Sequence, residues 1–330
     1  MASIPPNHPL TLDYRAYRRP FAQPLKAAWG TWEVREGILV RLRDPESGTA
    51  TFGEVAPLPA FGSEGMDEAL AFFHSLQANP SAAQLEEAIA MAPPASAFGL
   101  WCALSGSSGE GPIRSAALLS LGEQTVDEIK ALRDRGFRTF KLKSGLAPME
   151  AEWELLQSTI TGLEHGECLR LDPNQSWDHD AGQFWFSRLD AVAEKIEFIE
   201  EPFEEGLYPV DQMVAVAANS PVPLALDESL SRMGLSEWLD NGWPGFWIIK
   251  PSLMGNPDQW RQSLGTVHER VVLSSVFETG IGLGKLAALA ARINDRDHGF
   301  GTEAYFEDTF GIGSPGNDQE TRIWNHLPSA

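Results

Sequence analysis

The sequence predicts an α/β protein: a modified (β/α)8-type TIM barrel behind an N-terminal α+β capping domain. Three observations carry this reading. From about residue 113, short apolar runs alternate with helical stretches ("IRSAALLS", "RTFKLK", "ECLRLD", "KIEFIE", "VPLALD", "GFWIIK", "RVVLSS"), the pattern of βαβ units in a parallel sheet. The residues that end successive runs are Lys143, Asp172, Glu200, Asp227, Lys250 and Ser274, spaced by 29, 28, 27, 23 and 24 positions. A barrel unit takes about 30 residues. Ahead of these units, strand-like runs follow one another directly, as in an antiparallel meander.

Residues 11–19, 32–43 and 49–55 read as the meander strands, separated by turn residues such as "DPESG". The connection 20–31, "PFAQPLKAAWGT", is expected to be a long loop, and loops of this length often serve as lids. Helical patterns near 64–77, 82–92 and 95–105 complete a capping domain over 1–110. The barrel is expected to span 111–303, with "HGFGTE" near 298–303 as its last strand, and 304–330 to return to the first domain.

Composition narrows the function. The chain has 330 residues, 43% of them hydrophobic, and a net charge of −21 from 46 acidic and 25 basic residues. Nucleic acid and anionic membrane both call for a basic footprint, so neither is an expected partner. No stretch is long and apolar enough to span a bilayer, and "MASIPPNHPL" lacks the pattern of a signal peptide. Cys102 and Cys168 are too few for a disulfide framework, which fits a reducing cytoplasm. The expected partner is a small-molecule carboxylate, and the sequence leaves the oligomeric state open, a monomer included.

Active sites of such barrels lie at the C-terminal ends of the strands, where these runs place an ionisable or hydroxyl residue each time. Asp172, Glu200 and Asp227 offer an all-oxygen set for a hard divalent cation, most simply Mg²⁺. In "RTFKLKS", Lys141 and Lys143 point to the same side of a strand. Two ammonium groups about 7 Å apart repel by about 2.4 kcal/mol at an effective dielectric of about 20, which makes one of them a usable base. Lys250 would face them across the mouth. A metal, a lysine base and a facing lysine suit proton abstraction next to a carboxylate. Glycosidase chemistry also uses paired carboxylates in barrels but does not call for flanking lysines.

With these residues in place the chain resembles the enolase superfamily and, within it, the o-succinylbenzoate synthase family. The likeness runs from "GEVAPLPAFGSE" through "FKLKSG", "LRLDPNQSW", "FIEEPF", "LALDESL" and "IIKPSLMG" to "LSSVFETGIGL". It implies Asp172, Glu200 (not Glu201) and Asp227 as Mg²⁺ ligands, Lys143 as base and Lys141 as its electrostatic partner. Lys250 is implied as the facing cation, stacked on the substrate ring. It further implies that Arg170 and Asn174 support the metal site and contact substrate, and that Ser274 and Ser275 help bind a substrate carboxylate together with amides of the helix that starts in "ETGIG". Segment 20–31 and "PLPAF" would form the lid. The implied reaction is dehydration of 2-succinyl-6-hydroxy-2,4-cyclohexadiene-1-carboxylate to o-succinylbenzoate, a step of menaquinone and phylloquinone biosynthesis. Racemisation of N-acylamino acids or epimerisation of dipeptides is the alternative on the same site, and a metal-binding barrel without turnover is the alternative of another class.

Overall fold

The computed structural model describes residues 5–27, 30–106, 113–308, 310–311 and 317–327. Strands β1 (Thr11–Ala27), β2 (Gly30–Arg43) and β3 (Ala50–Val55) form an antiparallel sheet in that order. Both faces of this sheet are covered. Ile38, Val40 and Leu42 turn toward helices α1 (Met66–Ser75), α2 (Ala82–Met91) and α3 (Pro94–Ser105), joining Phe73, Leu85, Ile89 and Leu100. Leu39, Tyr17 and Phe52 turn the other way, onto Ile281, Ile323 and Trp324. Successive residues of a strand face opposite sides, so an unbroken apolar run such as "ILV" (38–40) marks a sheet buried on both. Helix α3 reaches β3 only because both carry glycine. A Cβ on Gly53 would lie 1.9 Å from the Gly99 carbonyl oxygen.

Segment 20–31 is not the loop expected from sequence. Residues 20–27 continue β1, paired with β2 out to Ala27 and Gly30, with a register break between Pro20 and Leu25. Pro20 and Pro24 read as loop residues because neither can donate to a ladder; the irregularity absorbs them. The result is a long hairpin arm, whose tip at 28–29 lies outside the described residues.

The second sheet is parallel and runs β4 (Ala117–Leu119), β5 (Thr139–Lys143), β6 (Cys168–Asp172), β7 (Ile196–Glu200), β8 (Leu224–Leu226), β9 (Phe246–Ile249), β10 (Val271–Leu273). Helices α4 (Thr125–Asp134), α5 (Met149–Thr161), α6 (His179–Leu189), α7 (Val210–Asn219), α8 (Glu228–Met233), α9 (Leu235–Asp240), α10 (Pro257–Leu264) and α11 (Gly280–Ala290) intervene or follow. Leu142, Leu171, Ile199, Leu226, Ile249 and Leu273 face the helices in one large core. Their alternates point inward, where Phe198, Ala225, Phe246, Ile248 and Val272 fill the barrel.

The eighth strand expected at 298–303 is absent among the described residues. His298 bridges Ser115 and Gly299 bridges Ser274, so two residues close the gap between β4 and β10. The chain then leaves the sheet in a single 3-10 turn, Glu303–Tyr305. Helix α12 (Asn317–His326) returns to the first sheet. There Arg15 donates to the carbonyls of Trp324 and Leu327, each at 2.9 Å, and stacks on the Trp324 ring at 4.6 Å. The boundary expected at 110 and 111 falls outside the described residues.

Candidate active site

A cavity of about 1030 Å³ opens at the C-terminal ends of the parallel strands, under the hairpin arm and residues 58–62. All ten residues singled out from sequence line it: Lys141, Lys143, Arg170, Asp172, Asn174, Glu200, Asp227, Lys250, Ser274 and Ser275. Strand parity explains this, because each sits on the inward phase of its strand or just beyond its end.

Asp172, Glu200 and Asp227 are buried. Lys141 sits between the first two, 2.9 Å from Asp172 Oδ2 and 2.7 Å from Glu200 Oε1. Burial pulls its ammonium down, but the two carboxylates outweigh this and hold Lys141 above the usual lysine range. The mutual repulsion expected between Lys141 and Lys143 is therefore not the governing interaction, because Lys141 is neutralised by carboxylates on β6 and β7. Lys250 is ion-paired to Asp227 and lies 4.4 Å from the centre of the Phe61 ring. Burial pushes Lys250 down to about 8, with Glu200 opposing and Lys141 reinforcing the shift.

Lys143 differs from both. It is exposed at the cavity mouth and makes no hydrogen bond or ion pair among the described residues. Its position is set by the backbone that follows. Buried Glu152 accepts from the amides of Gly145 (2.8 Å), Leu146 (2.6 Å) and Ala147 (3.0 Å), and the Ser144 amide donates to the Asp172 carbonyl at 3.0 Å. Gly145 has φ +78°, and a Cβ there would fall 1.8 Å from Ser176 Oγ.

As their side chains stand, no three His, Cys, Asp or Glu residues among those described are close enough together to hold a metal ion. The donor set nevertheless suits a hard divalent cation: three buried carboxylates from adjacent strands, met by two ammonium groups. Glu200 lines the cavity, whereas Glu201 does not. With φ +40°, Glu201 turns away to accept the Asp227 amide at 2.9 Å and the Ser229 hydroxyl, and burial pushes it up to about 7.

Two model-family matches cover most of the chain. Residues 14–106 match "MenC, N-terminal domain" and 124–305 match "Enolase C-terminal domain-like". An o-succinylbenzoate synthase of Thermosynechococcus vestitus is 36% identical over 82% of this chain and 85% of its own length. The chain belongs to the o-succinylbenzoate synthase family. Another member, from Enterobacter sp. (strain 638), is 32% identical over 78% of this chain and 80% of its own. The crystal structure of o-succinylbenzoate synthase from Thermosynechococcus elongatus BP-1, complexed with Mg in the active site, superposes with a TM-score of 0.84 at 31% identity. That match covers 96% of this chain and 100% of the other. Muconate lactonizing enzyme from Pseudomonas fluorescens shares the fold, with a TM-score of 0.68 at 19% identity over 92% and 90% of the two chains.

Three of the expected side chains, Arg170, Ser275 and Asn174, are already engaged with neighbouring residues. Arg170 is buried and spends donors on Glu197 Oε2 (2.7 Å) and the Asp297 carbonyl (2.5 Å), so it braces the cavity floor rather than presenting a free guanidinium. Ser275 Oγ donates to Glu278 Oε2 at 2.6 Å and lies 3.0 Å from Thr302 Oγ1, whereas Ser274 keeps its hydroxyl unpartnered among the described residues. The helix amides expected to hold substrate are taken. Glu54, from the capping domain, accepts from the amides of Thr279 (2.9 Å) and Gly282 (2.9 Å) at the start of α11. Asn174, at φ +51°, donates its amide to Asp172 Oδ1 at 3.1 Å and its side chain to Glu228 at 3.2 Å.

Glu228, Phe61 and Tyr305 were not singled out from sequence, though each lines the cavity. Glu228 adjoins Asp227 in "LDES", and burial together with Glu201, Glu200 and Asp172 pushes it up to about 8. Phe61 ends "PLPAF", where only a lid was expected.

Proposed function

We propose that this chain dehydrates 2-succinyl-6-hydroxy-2,4-cyclohexadiene-1-carboxylate to o-succinylbenzoate with Mg²⁺, in the cytoplasm, as a step of menaquinone and phylloquinone biosynthesis. The observation that carries the reading is the placement of Lys143 at the end of β5 and Lys250 just past the end of β9, both lining a cavity walled by three buried carboxylates. Asp172, Glu200 and Asp227 would hold the cation. When bound, Mg²⁺ supplies positive charge beside the substrate carboxylate, where negative charge grows as the adjacent carbon loses its proton.

The chain's own groups do the rest. Lys143 Nζ, unpaired and at the mouth, takes the proton α to the carboxylate. The same proton then goes to the departing hydroxyl, which leaves as water, and the ring becomes aromatic. Lys250 supplies a cation on the opposite face of the ring, already poised over the aromatic face of Phe61. Lys141 holds Asp172 and Glu200 in place, and Arg170 supports the floor beneath them. Ser274 offers a free hydroxyl to substrate.

The test is an assay of purified protein with the cyclohexadiene substrate, following the aromatic product. Turnover is expected with Mg²⁺, to vanish in excess chelator and to return when Mg²⁺ is restored. Full activity in chelator would sink the metal assignment, and no product under any condition would sink the reaction.

A further inference from the structure

The regular ladders stop where the proposed metal ligands begin. Pairing of β6 with β7 ends at Leu171 and Ile199, and pairing of β7 with β8 ends at Glu200 and Ala225. Asp227 follows the last residue of β8, so the ladder does not fix it against Glu200. Glu201 carries the connection onward. It donates its amide to the Ala225 carbonyl at 2.9 Å, and its own carbonyl accepts the Gln175 amide at 2.8 Å. Its carboxylate accepts the Asp227 amide at 2.9 Å and, through the other oxygen, the Ser229 hydroxyl. Glu201 thus ties together the ends of β6, β7 and β8, and each of those ends presents a carboxylate to the cavity.

The backbone is bent to allow this. Glu201 has φ +40° and Gln175 has φ +60°. Such values are uncommon outside glycine and persist where the surroundings over-determine them, often at functional sites. In an extended backbone the Glu201 side chain would follow the alternation of β7 and point to the helices, away from Asp227. Glu201 is buried and does not line the cavity, so it acts on cation or substrate only through the residues it holds.

Hard cations differ in how much positioning they need. Mg²⁺ takes a near-ideal octahedron with bonds of about 2.0–2.1 Å, whereas Ca²⁺ accepts about 6–8 oxygens at about 2.3–2.6 Å in flexible geometry. Resting on the ligand assignment proposed above, we infer that Glu201 is a positioning residue: it holds Asp172, Glu200 and Asp227 at the spacing of a small octahedral cation and so favours Mg²⁺ over Ca²⁺.

Glu201→Ala and Glu201→Gln separate positioning from charge, because both remove the same negative charge. The carboxamide oxygen can still accept the Asp227 amide, with its NH₂ turned to Ser229 Oγ, which accepts from Arg232 at 3.1 Å and keeps a second lone pair. Glu201→Ala leaves the Asp227 amide without that acceptor. Dissociation constants of Mg²⁺ and Ca²⁺ are measured by calorimetry on wild type and variants stripped with chelator. Glu201→Ala is expected to weaken Mg²⁺ about 10–100-fold, the usual range for a group that orients a metal ligand, and Ca²⁺ by clearly less. Glu201→Gln should lie nearer to wild type for Mg²⁺. Equal weakening of both cations by Glu201→Ala, which lost charge or lost folding would give, overturns the inference. So does no weakening, or Glu201→Gln as weak as Glu201→Ala. If Glu201→Ala does not fold, Ser229→Ala decides, since it changes no charge and removes one anchor of the carboxylate; a ratio of Mg²⁺ to Ca²⁺ affinity equal to that of wild type overturns the inference. Asp227→Asn tests the assignment beneath it. A wild type that binds no Mg²⁺, or binding that survives Asp227→Asn undiminished, overturns the ligand set itself. Loss of Mg²⁺ in Asp227→Asn with Glu201→Ala unchanged overturns only the role of Glu201.

Discussion

Glu54→Gln probes how the capping domain is fastened to the barrel mouth. The Glu54 carboxylate is buried and gathers the amides of Thr279 and Gly282, the Thr279 hydroxyl and, at 2.6 Å, the Tyr17 hydroxyl. It is an anion on the first turn of α11, and the segment it holds continues directly from Ser275 and Phe277 in the cavity wall. A carboxamide keeps the shape but loses the charge, which at a partly or fully buried helix N-terminus contributes up to about 2 kcal/mol. Its NH₂ must also face donors. In the less costly orientation it replaces Oε1, where Tyr17 can turn its hydroxyl to accept but the NH₂ faces the Thr279 amide donor to donor and leaves that amide only its 3.1 Å bond to Oε2. Losing one of these two buried bonds costs about 1 kcal/mol. The sum, up to about 3 kcal/mol, is a sizeable share of the about 5–15 kcal/mol that holds a typical protein folded. Urea titrations of wild type and variant, with the far-UV signal as readout, measure the loss. A variant as stable as wild type would refute the assignment of Glu54 as the clamp.

Lys143→Ala should lower turnover by about 10²–10⁴-fold, and Lys143→Arg should do no better, because a guanidinium does not give up its proton near neutral pH; steady-state rates of the three proteins decide it. Lys250→Arg should keep measurable dehydration while Lys250→Ala loses far more, since a facing cation needs charge rather than proton transfer. Equal and complete loss in both would contradict an electrostatic role, and α-proton exchange of an N-succinylamino acid in heavy water reads out the racemase alternative in the same proteins. His298 is buried with Nδ1 accepting the Leu273 amide, and burial, with Arg170 adding, pushes it down to about 4. An unfolded chain protonates this group first, so its contribution is fully present above pH of about 6.5 and is lost as pH falls toward about 4, about 3 kcal/mol at full extent. His298→Gln should flatten that part of the stability profile, measured as urea midpoints across the window; an unchanged slope would discard the assignment.

Strand alternation is a local property, and it was enough to put all ten expected side chains into one cavity. The spacing of the strand ends, 23 to 29 residues, is likewise written along the chain, because each unit must hold one strand and its crossover. What local pattern leaves open is which neighbour each group meets once inside. Lys141 and Lys143 share a face, yet Lys141 is locked between Asp172 and Glu200 and Lys143 stands free, although it is Lys143 whose backbone is in register with Asp172. The prolines of segment 20–31 argue for a loop until β2 pairs across them and makes an arm. The amides at the start of α11 look available until Glu54 arrives from 225 residues away in sequence. Residues of one strand are ordered by the geometry of the backbone itself, and sequence alone reports that order. Ion pairs, helix caps and ring contacts between distant segments depend on how the capping domain and the barrel pack, which only the tertiary structure decides.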